Sequence, residues 1–301
     1  MQEFVIVVTC RILLAHDSFP FNRFFTLQVY PMSFDFNAYL NRIGIAKPET
    51  TLAGLSQLQQ AQLGAIPFEN INPLLGLLPE LETAALMEKI VANRRGGYCF
   101  ELNGLFGQAL DALGFDYQPI MARVRMGRNE GGPRLHLAFI VETEAEFWLV
   151  DAGFGGPSHY RPLRLNTGEV QNQEHNQFRL RQEEESGETV LERLQDGEWF
   201  ALYSFDRAKV QRCDLDAANL VCTTWDQSLL SQNLLICRNT AEGWVQLFNT
   251  HFSRYRADEK ISHSIESQAQ LNDLLDEQFD IALNIEQLRR LAERLALNQD
   301  N

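Results

Sequence analysis

Cysteine is scarce in this chain. Five occur in 301 residues, at positions 10, 99, 213, 222 and 237. The number is odd, the spacing loose, and no C-x-x-C is present. Nothing therefore supports a disulfide framework or a zinc ribbon, and a reducing, cytoplasmic setting fits best. The histidines form no H-E-x-x-H, so the sequence offers no metal site. No run approaches the ~20 apolar residues of a membrane span. Positive charge is also short: 26 Lys and Arg against 40 Asp and Glu leave a net charge of −14. Such a surface repels phosphate backbones, which disfavours nucleic acid as a partner. An anionic ligand would need a local basic pocket.

Apolar residues make up 45% and charged residues 22%, an ordinary globular balance. The length suggests about two domains, and no internal repeat is visible. Phe4–Cys10 is apolar, but Glu3 and Arg11 flank it and no small-residue cleavage site follows. It makes a poor signal peptide. Residues 1–31 read as an extension upstream of a domain start at Met32; a strand packed on the fold is the alternative.

From 32 to 116 the apolar period is helical. Phe36, Tyr39, Leu40 and Ile43 share a face that Gly44 ends. Leu52, Leu55 and Leu58 mark a second helix, broken at Ile66-Pro67. Leu86, Ile90 and Val91 belong to a third helix that runs into Arg94-Arg95-Gly96-Gly97. The fourth carries Leu102, Leu105, Phe106, Ala109, Leu110 and Leu113, and stops at Gly114. From Tyr117 to about Arg254 the period becomes two, as in Ile120/Ala122/Val124 and Leu135/Leu137/Phe139/Val141. Polar residues 171–188 read as loop. Leu234–Arg238 and Val245–Phe248 form a hairpin, and helical spacing returns at Leu271, Leu274, Leu275 and Leu288, Leu291, Leu295. Asn284 and Gln287 make a capping box. This order is that of an α+β fold with antiparallel sheet or barrel.

Cys99 opens the fourth helix. A helix N-terminus lowers a thiol pKa, the thiolate is the attacking form, and the N–H groups there can hold an oxyanion. A small buried hydrophobe is the plainer reading of any single cysteine. His136 and Asp151 flank a polar link, residues 142–145. A hairpin closing on that link pairs Val141 with Glu146 and, five residues further along each strand, His136 with Asp151. The two side chains would then share a face, as a structural hydrogen bond or as base and orienter for Cys99. Gly153, Gly155 and Gly156 follow Asp151 and permit positive φ and close approach to a ligand. Phe68 and Phe154 are candidates for an aromatic pocket or for core. Arg123, Arg125, Arg128, Arg134, Arg161 and Arg164 can meet a carrier's phosphates or simply face solvent.

Residues 94–103, Arg-Arg-Gly-Gly-Tyr-Cys-Phe-Glu-Leu-Asn, resemble the nucleophile segment of the arylamine N-acetyltransferases. Ile66-Pro67-Phe68-Glu69-Asn70 resembles their pocket-lining segment. The His136 strand and Val150-Asp151-Ala152-Gly153-Phe154-Gly155-Gly156 resemble the other two triad segments. The bacterial N-hydroxyarylamine O-acetyltransferase branch is the nearest in pattern. The resemblance implies an N-terminal helical bundle (32–116), a central β-barrel (117–225) and a C-terminal α/β lid (226–301) around a cysteine-protease-like core. It implies acetyl-CoA as donor, a small aromatic amine as acceptor and no metal. It implies Cys99 as nucleophile, His136 as base and Asp151 as orienter, with Gly153, Gly155 and Gly156 toward the donor and Phe68 and Phe154 toward the acceptor. Rival readings on the same residues are a natural-product amide synthase, a cysteine peptidase or transglutaminase-like enzyme, and a non-catalytic binding module.

Overall fold

The structure is a computed structural model that describes residues 34–165, 168–173, 176–240, 242–256 and 259–298. The reading of residues 1–31 as an extension falls outside these residues. The chain begins with α1 (Phe36–Ile43) and α2 (Leu52–Ala65), the short strand β1 (Phe68–Glu69), and the single turns α3 (Ile71–Leu74) and α4 (Thr83–Leu86). Asp35 and Thr51 cap the first two helices by accepting from Ala38 N and Gly54 N. Gly44 ends α1 with φ +73°, a left-handed conformation that costs glycine nothing. The expected third helix is α4 continued by a π-helical turn, Met87–Ala92. Next comes α5 (Cys99–Leu113), apolar on nearly every side and buried accordingly.

Thirteen strands are described in all. β2 (Asp116–Val124), β3 (Arg134–Thr143), β4 (Glu146–Val150), β5 (Leu163–Arg164), β6 (Gln171–Gln173), β7 (Asn176–Gln182), β8 (Thr189–Gln195) and β9 (Glu198–Phe205) form one antiparallel sheet. Its order is β5-β4-β3-β2-β9-β8-β7-β6, and it curls into a near-barrel. Two helices follow, α6 (Arg212–Thr224) and α7 (Leu229–Gln232). β10 (Leu235–Thr240), β11 (Gly243–Phe248), β12 (His251–Arg256) and β13 (Glu259–Ser264) then join β1 in a second sheet. α8 (Gln268–Phe279) and α9 (Ile285–Arg294) close the chain, and Asn284 and Gln287 form the expected reciprocal cap.

Three expectations need correction. The period of two does not run unbroken to Arg254, because α6 interrupts it. Residues 171–173 and 176–182 are strand, not loop: Phe178 and Leu180 are buried on alternate positions of β7. β6 is polar because its amides do the work of a backbone. Gln171 accepts from Arg164 N and donates to Arg164 O, both 2.8–2.9 Å, across the gap between the two edge strands. Gln173 accepts from Tyr160 N and Arg161 N in the same way. Side chains thus cover the edges that an open sheet would expose.

The third correction concerns the β3–β4 hairpin. Its ladder pairs Val141 with Trp148 and Thr143 with Glu146, not Val141 with Glu146. The turn is two residues, Glu144 and Ala145, both at positive φ (54° and 61°). That is the tight hairpin turn whose twist suits the flanking strands. The register is displaced by two residues. An even displacement keeps every side chain on its face, so His136 and Asp151 stay on the same side.

Candidate active site

The nucleophile segment is anchored before the helix starts. Glu69 N donates to Gly97 O at 2.9 Å, making a parallel bridge between Phe68 and Gly97. Gly96 must be glycine here, since a Cβ would lie 2.2 Å from Pro67 O. Buried charges tie the same segments together. Arg95 Nη2 lies 2.6 Å from Glu69 Oε1, and Lys89 Nζ lies 2.7 Å from Glu101 Oε1 and 3.4 Å from Glu69. Glu101 in turn accepts from Tyr98 N at 3.1 Å, fixing the first turn of α5 around Cys99. Burial pushes the Glu69 carboxyl up, but the two cations and the Ile71 N–H outweigh it and hold it down to about 2.

His136 Nε2 lies 2.6 Å from Asp151 Oδ2, with both residues buried. Asp151 Oδ1 accepts from Asn103 Nδ2 at 2.9 Å and from Gly153 N at 3.0 Å. Burial alone would lower the imidazole pKa; the Asp151 charge and hydrogen bond reverse it, so His136 is raised. Asp151 is lowered by His136 against the same desolvation. The imidazole also interacts with the Cys99 thiol, raising its own pKa and lowering the thiol's, and Nδ1 is the nitrogen that Asp151 leaves for it. Cys99 Sγ sits 3.5 Å from Leu135 O. Its helix terminus does not by itself make an acidic thiol. Burial pushes Cys99 up, and the His136 contact pulls it back. Activation must therefore come from the imidazole.

Phe154 stands 5.1 Å from the His136 ring, edge-on, and Tyr203 stands 5.0 Å from it, so His136 is walled by two aromatics. Phe68 is also buried, against Gly155. The glycines carry no positive φ. A Cβ at Gly153 would lie 2.8 Å from Asn103 Nδ2, and one at Gly155 would lie 2.6 Å from the Phe68 ring. Close packing, not a left-handed turn, requires glycine at both. Four of the six arginines are paired within the fold. Arg123 meets Glu188, Arg125 meets Glu183 and Glu188, Arg134 meets Asp206, and Arg164 meets Glu146. These four are thus engaged by carboxylates of the fold.

The motif reading did not single out Asn103, Gln62 or Lys89. Asn103 lies one turn beyond Cys99 on α5 and grips Leu137 O, Asp151 and Ala152 N. Gln62 bonds Leu102 O, Ala152 O and the Tyr39 hydroxyl. The signal was a polar residue in an otherwise apolar helix stripe, which buries only when bonded.

An N-acetyltransferase family model matches residues 51–288. The chain belongs to the arylamine N-acetyltransferase family. It is an acyltransferase of that family. The arylamine N-acetyltransferase/N-hydroxyarylamine O-acetyltransferase of Salmonella typhimurium is 37% identical over 238 residues, 78% of this chain and 84% of that one. The solved Salmonella structure superposes with a TM-score of 0.81 over 87% of this chain and 97% of that one, at 34% identity. The arylamine N-acetyltransferase of Mycobacterium marinum in complex with CoA gives 0.79 over 87% and 98%, at 31% identity.

A cavity of about 320 Å³ opens beside the glycine loop, lined by Pro157, Ser158, Arg193, Asn239 and Trp244 among others. Arg193 donates to Asn176 and Gln195 and lies in the field of Asp196. Trp244 stacks flat on Tyr255 at 4.2 Å.

Proposed function

We propose that the chain transfers an acetyl group from acetyl-CoA to arylamines, arylhydrazines or N-hydroxyarylamines by a ping-pong reaction through an acyl-thioester on Cys99. The observation that carries this is the buried His136–Asp151 hydrogen bond, with the imidazole interacting with Cys99 at the start of α5. Asp151 gives the imidazole a proton affinity that takes the thiol proton onto Nδ1. The thiolate attacks the thioester carbonyl, and the positive end of α5 favours the oxyanion. The carbon–sulfur bond to CoA breaks, and His136 returns its proton to the leaving thiolate. An amine then attacks the Cys99 thioester, His136 takes its proton, and the free thiol is restored. One base serves both halves.

Gly155 and Gly156 are the partly exposed end of the loop and form the path by which the donor approaches. Arg193 supplies a half-buried cation for the donor's phosphates. Phe68 and Phe154 line the side toward the aromatic acceptor. The test is intact-mass measurement after mixing with acetyl-CoA and no acceptor. One acetyl group should appear on Cys99 by peptide mapping, vanish on adding an arylamine, and be absent from Cys99→Ala. An adduct on another residue, or turnover in Cys99→Ala, would overturn the reading.

A further inference from the structure

Cys222 takes no part in the chemistry above, yet it shares a carbonyl with the nucleophile. Cys99 Sγ lies 3.5 Å from Leu135 O and Cys222 Sγ lies 4.0 Å from the same oxygen. Their separation is thus less than the sum of those distances. Both thiols are free and buried, and Cys99 lies in the field of Cys222. The approach is held in place. Tyr98, the residue before Cys99, donates its hydroxyl to Asn219, one turn before Cys222 on the same face of α6. Asn219 is itself fixed by donating to Pro79 O at 2.8 Å.

We infer that Cys222 is a resolving thiol for Cys99, which captures the nucleophile as an intramolecular disulfide once a hydroperoxide has oxidised it. The inference rests on Cys99 being the reactive thiol. In the first step the Cys99 thiolate attacks the terminal oxygen of the hydroperoxide. The O–O bond breaks, Cys99 becomes a sulfenic acid, and the alkoxide or hydroxide leaves and takes a proton from His136. In the second, the Cys222 sulfur attacks the Cys99 sulfur. The S–S bond forms, the S–O bond breaks, and the hydroxyl leaves as water with the Cys222 proton. Two thiols are oxidised and one peroxide is reduced.

Burial shapes the kinetics. It raises Cys222 to about 12, so little thiolate exists at neutral pH and capture is the slower step. Capture is also internal, so its rate does not depend on peroxide. Low peroxide therefore gives disulfide, and excess peroxide outruns capture to the sulfinic acid.

The experiment treats the full chain with equimolar hydrogen peroxide, then alkylates it under denaturing conditions and maps its peptides. The wild type should lose two hydrogens, yield a Cys99–Cys222 linked peptide, and recover activity with dithiothreitol. Cys222→Ser and Cys222→Ala should match the wild type in turnover before treatment. After it they should carry one or more oxygens on Cys99 and recover less. A Cys99 that oxidises in the wild type without linking to Cys222 overturns the inference and leaves the nucleophile assignment standing. A Cys99 that peroxide does not touch likewise overturns the inference, and acetylation of Cys99 by acetyl-CoA decides the nucleophile assignment separately.

Discussion

Asn103 holds the Asp151 carboxylate from the helix that carries Cys99: its Nδ2 lies 2.9 Å from Oδ1, and its Oδ1 accepts from Ala152 N at 3.0 Å. Residues four apart on an α-helix lie on one face, so α5 sets the proposed nucleophile, Cys99, and the proposed orienter, Asp151, in one rigid frame. Replacing Asn103 by Ala leaves Leu137 O and Ala152 N unpartnered and frees Asp151 to turn. The expected cost is roughly 10–100-fold in kcat/KM, by analogy with other outer residues that orient a reactive group. Each stranded buried group also costs about 1–3 kcal/mol of stability. Comparing kcat/KM with the melting temperature separates the two effects. An activity that falls only in proportion to unfolded protein would remove Asn103 from this role.

The Asp151 charge raises His136, and a cationic His136 lowers Cys99. Asp151→Asn reverses both signs. The imidazole should lose its raised affinity, and the thiol should keep its proton to higher pH. Alkylation of Cys99 followed against pH should show an apparent pKa that rises in the variant, toward or above the ~8.5 of a free thiol. Turnover should fall by roughly 10⁴, as expected when an orienter carboxylate becomes an amide. An unchanged alkylation profile would mean that the thiolate is stabilised without His136.

The helical stripes, the C-terminal capping box and the β10–β11 turn could be read from period and cap chemistry alone, since these are local properties of the chain. The shared face of His136 and Asp151 survived a register that was off by two, because strand periodicity constrains parity more strongly than position. Residues 171–173 were opaque for a different reason. Their amides replace a neighbouring strand that only the closed sheet reveals, and polar composition looks the same in a loop. Lys89 was equally hidden. Its partners, Glu69 and Glu101, lie on either side of it in sequence and meet only when β1 and α5 pack. The arginines stayed undecided in sequence, because pairing with distant carboxylates leaves no trace in local spacing.

Glu69 provides a pH test of the buried charge cluster. Its folded pKa is depressed to about 2, so it contributes stability that is fully present above its unfolded value of 4.5 and is lost as pH falls through about 2. Glu69→Gln strands Arg95 and should cost about 3–5 kcal/mol at neutral pH. The penalty should shrink between pH 4.5 and 2, as the wild-type carboxylate itself becomes protonated. Burial raises Glu101 and the Glu69 charge adds to it, so Glu69→Gln also lowers Glu101, and the difference between the two denaturation curves reports Glu69 together with its coupling to Glu101. A penalty that stays constant across this window would show that packing, not charge, is what the residue supplies.

Gly155→Ala tests whether the glycine loop is shaped by packing. A Cβ there would stand 2.6 Å from the Phe68 ring, inside the separation real carbon atoms adopt. The ring is buried and forms part of the segment bridged to Gly97, so it has little room to withdraw. Overpacking of this kind costs about 1–3 kcal/mol. Gly156→Ala meets only the Phe154 ring at 3.3 Å and should cost well under half as much. The kinetic consequence is directional. With Phe68 on the acceptor side as proposed, its displacement should change KM for bulky arylamines more than the rate of Cys99 acetylation by acetyl-CoA in the absence of acceptor. Equal effects of both substitutions on stability and on the two half-reactions would show that the loop yields freely. Phe68 would then be no constraint on Gly155.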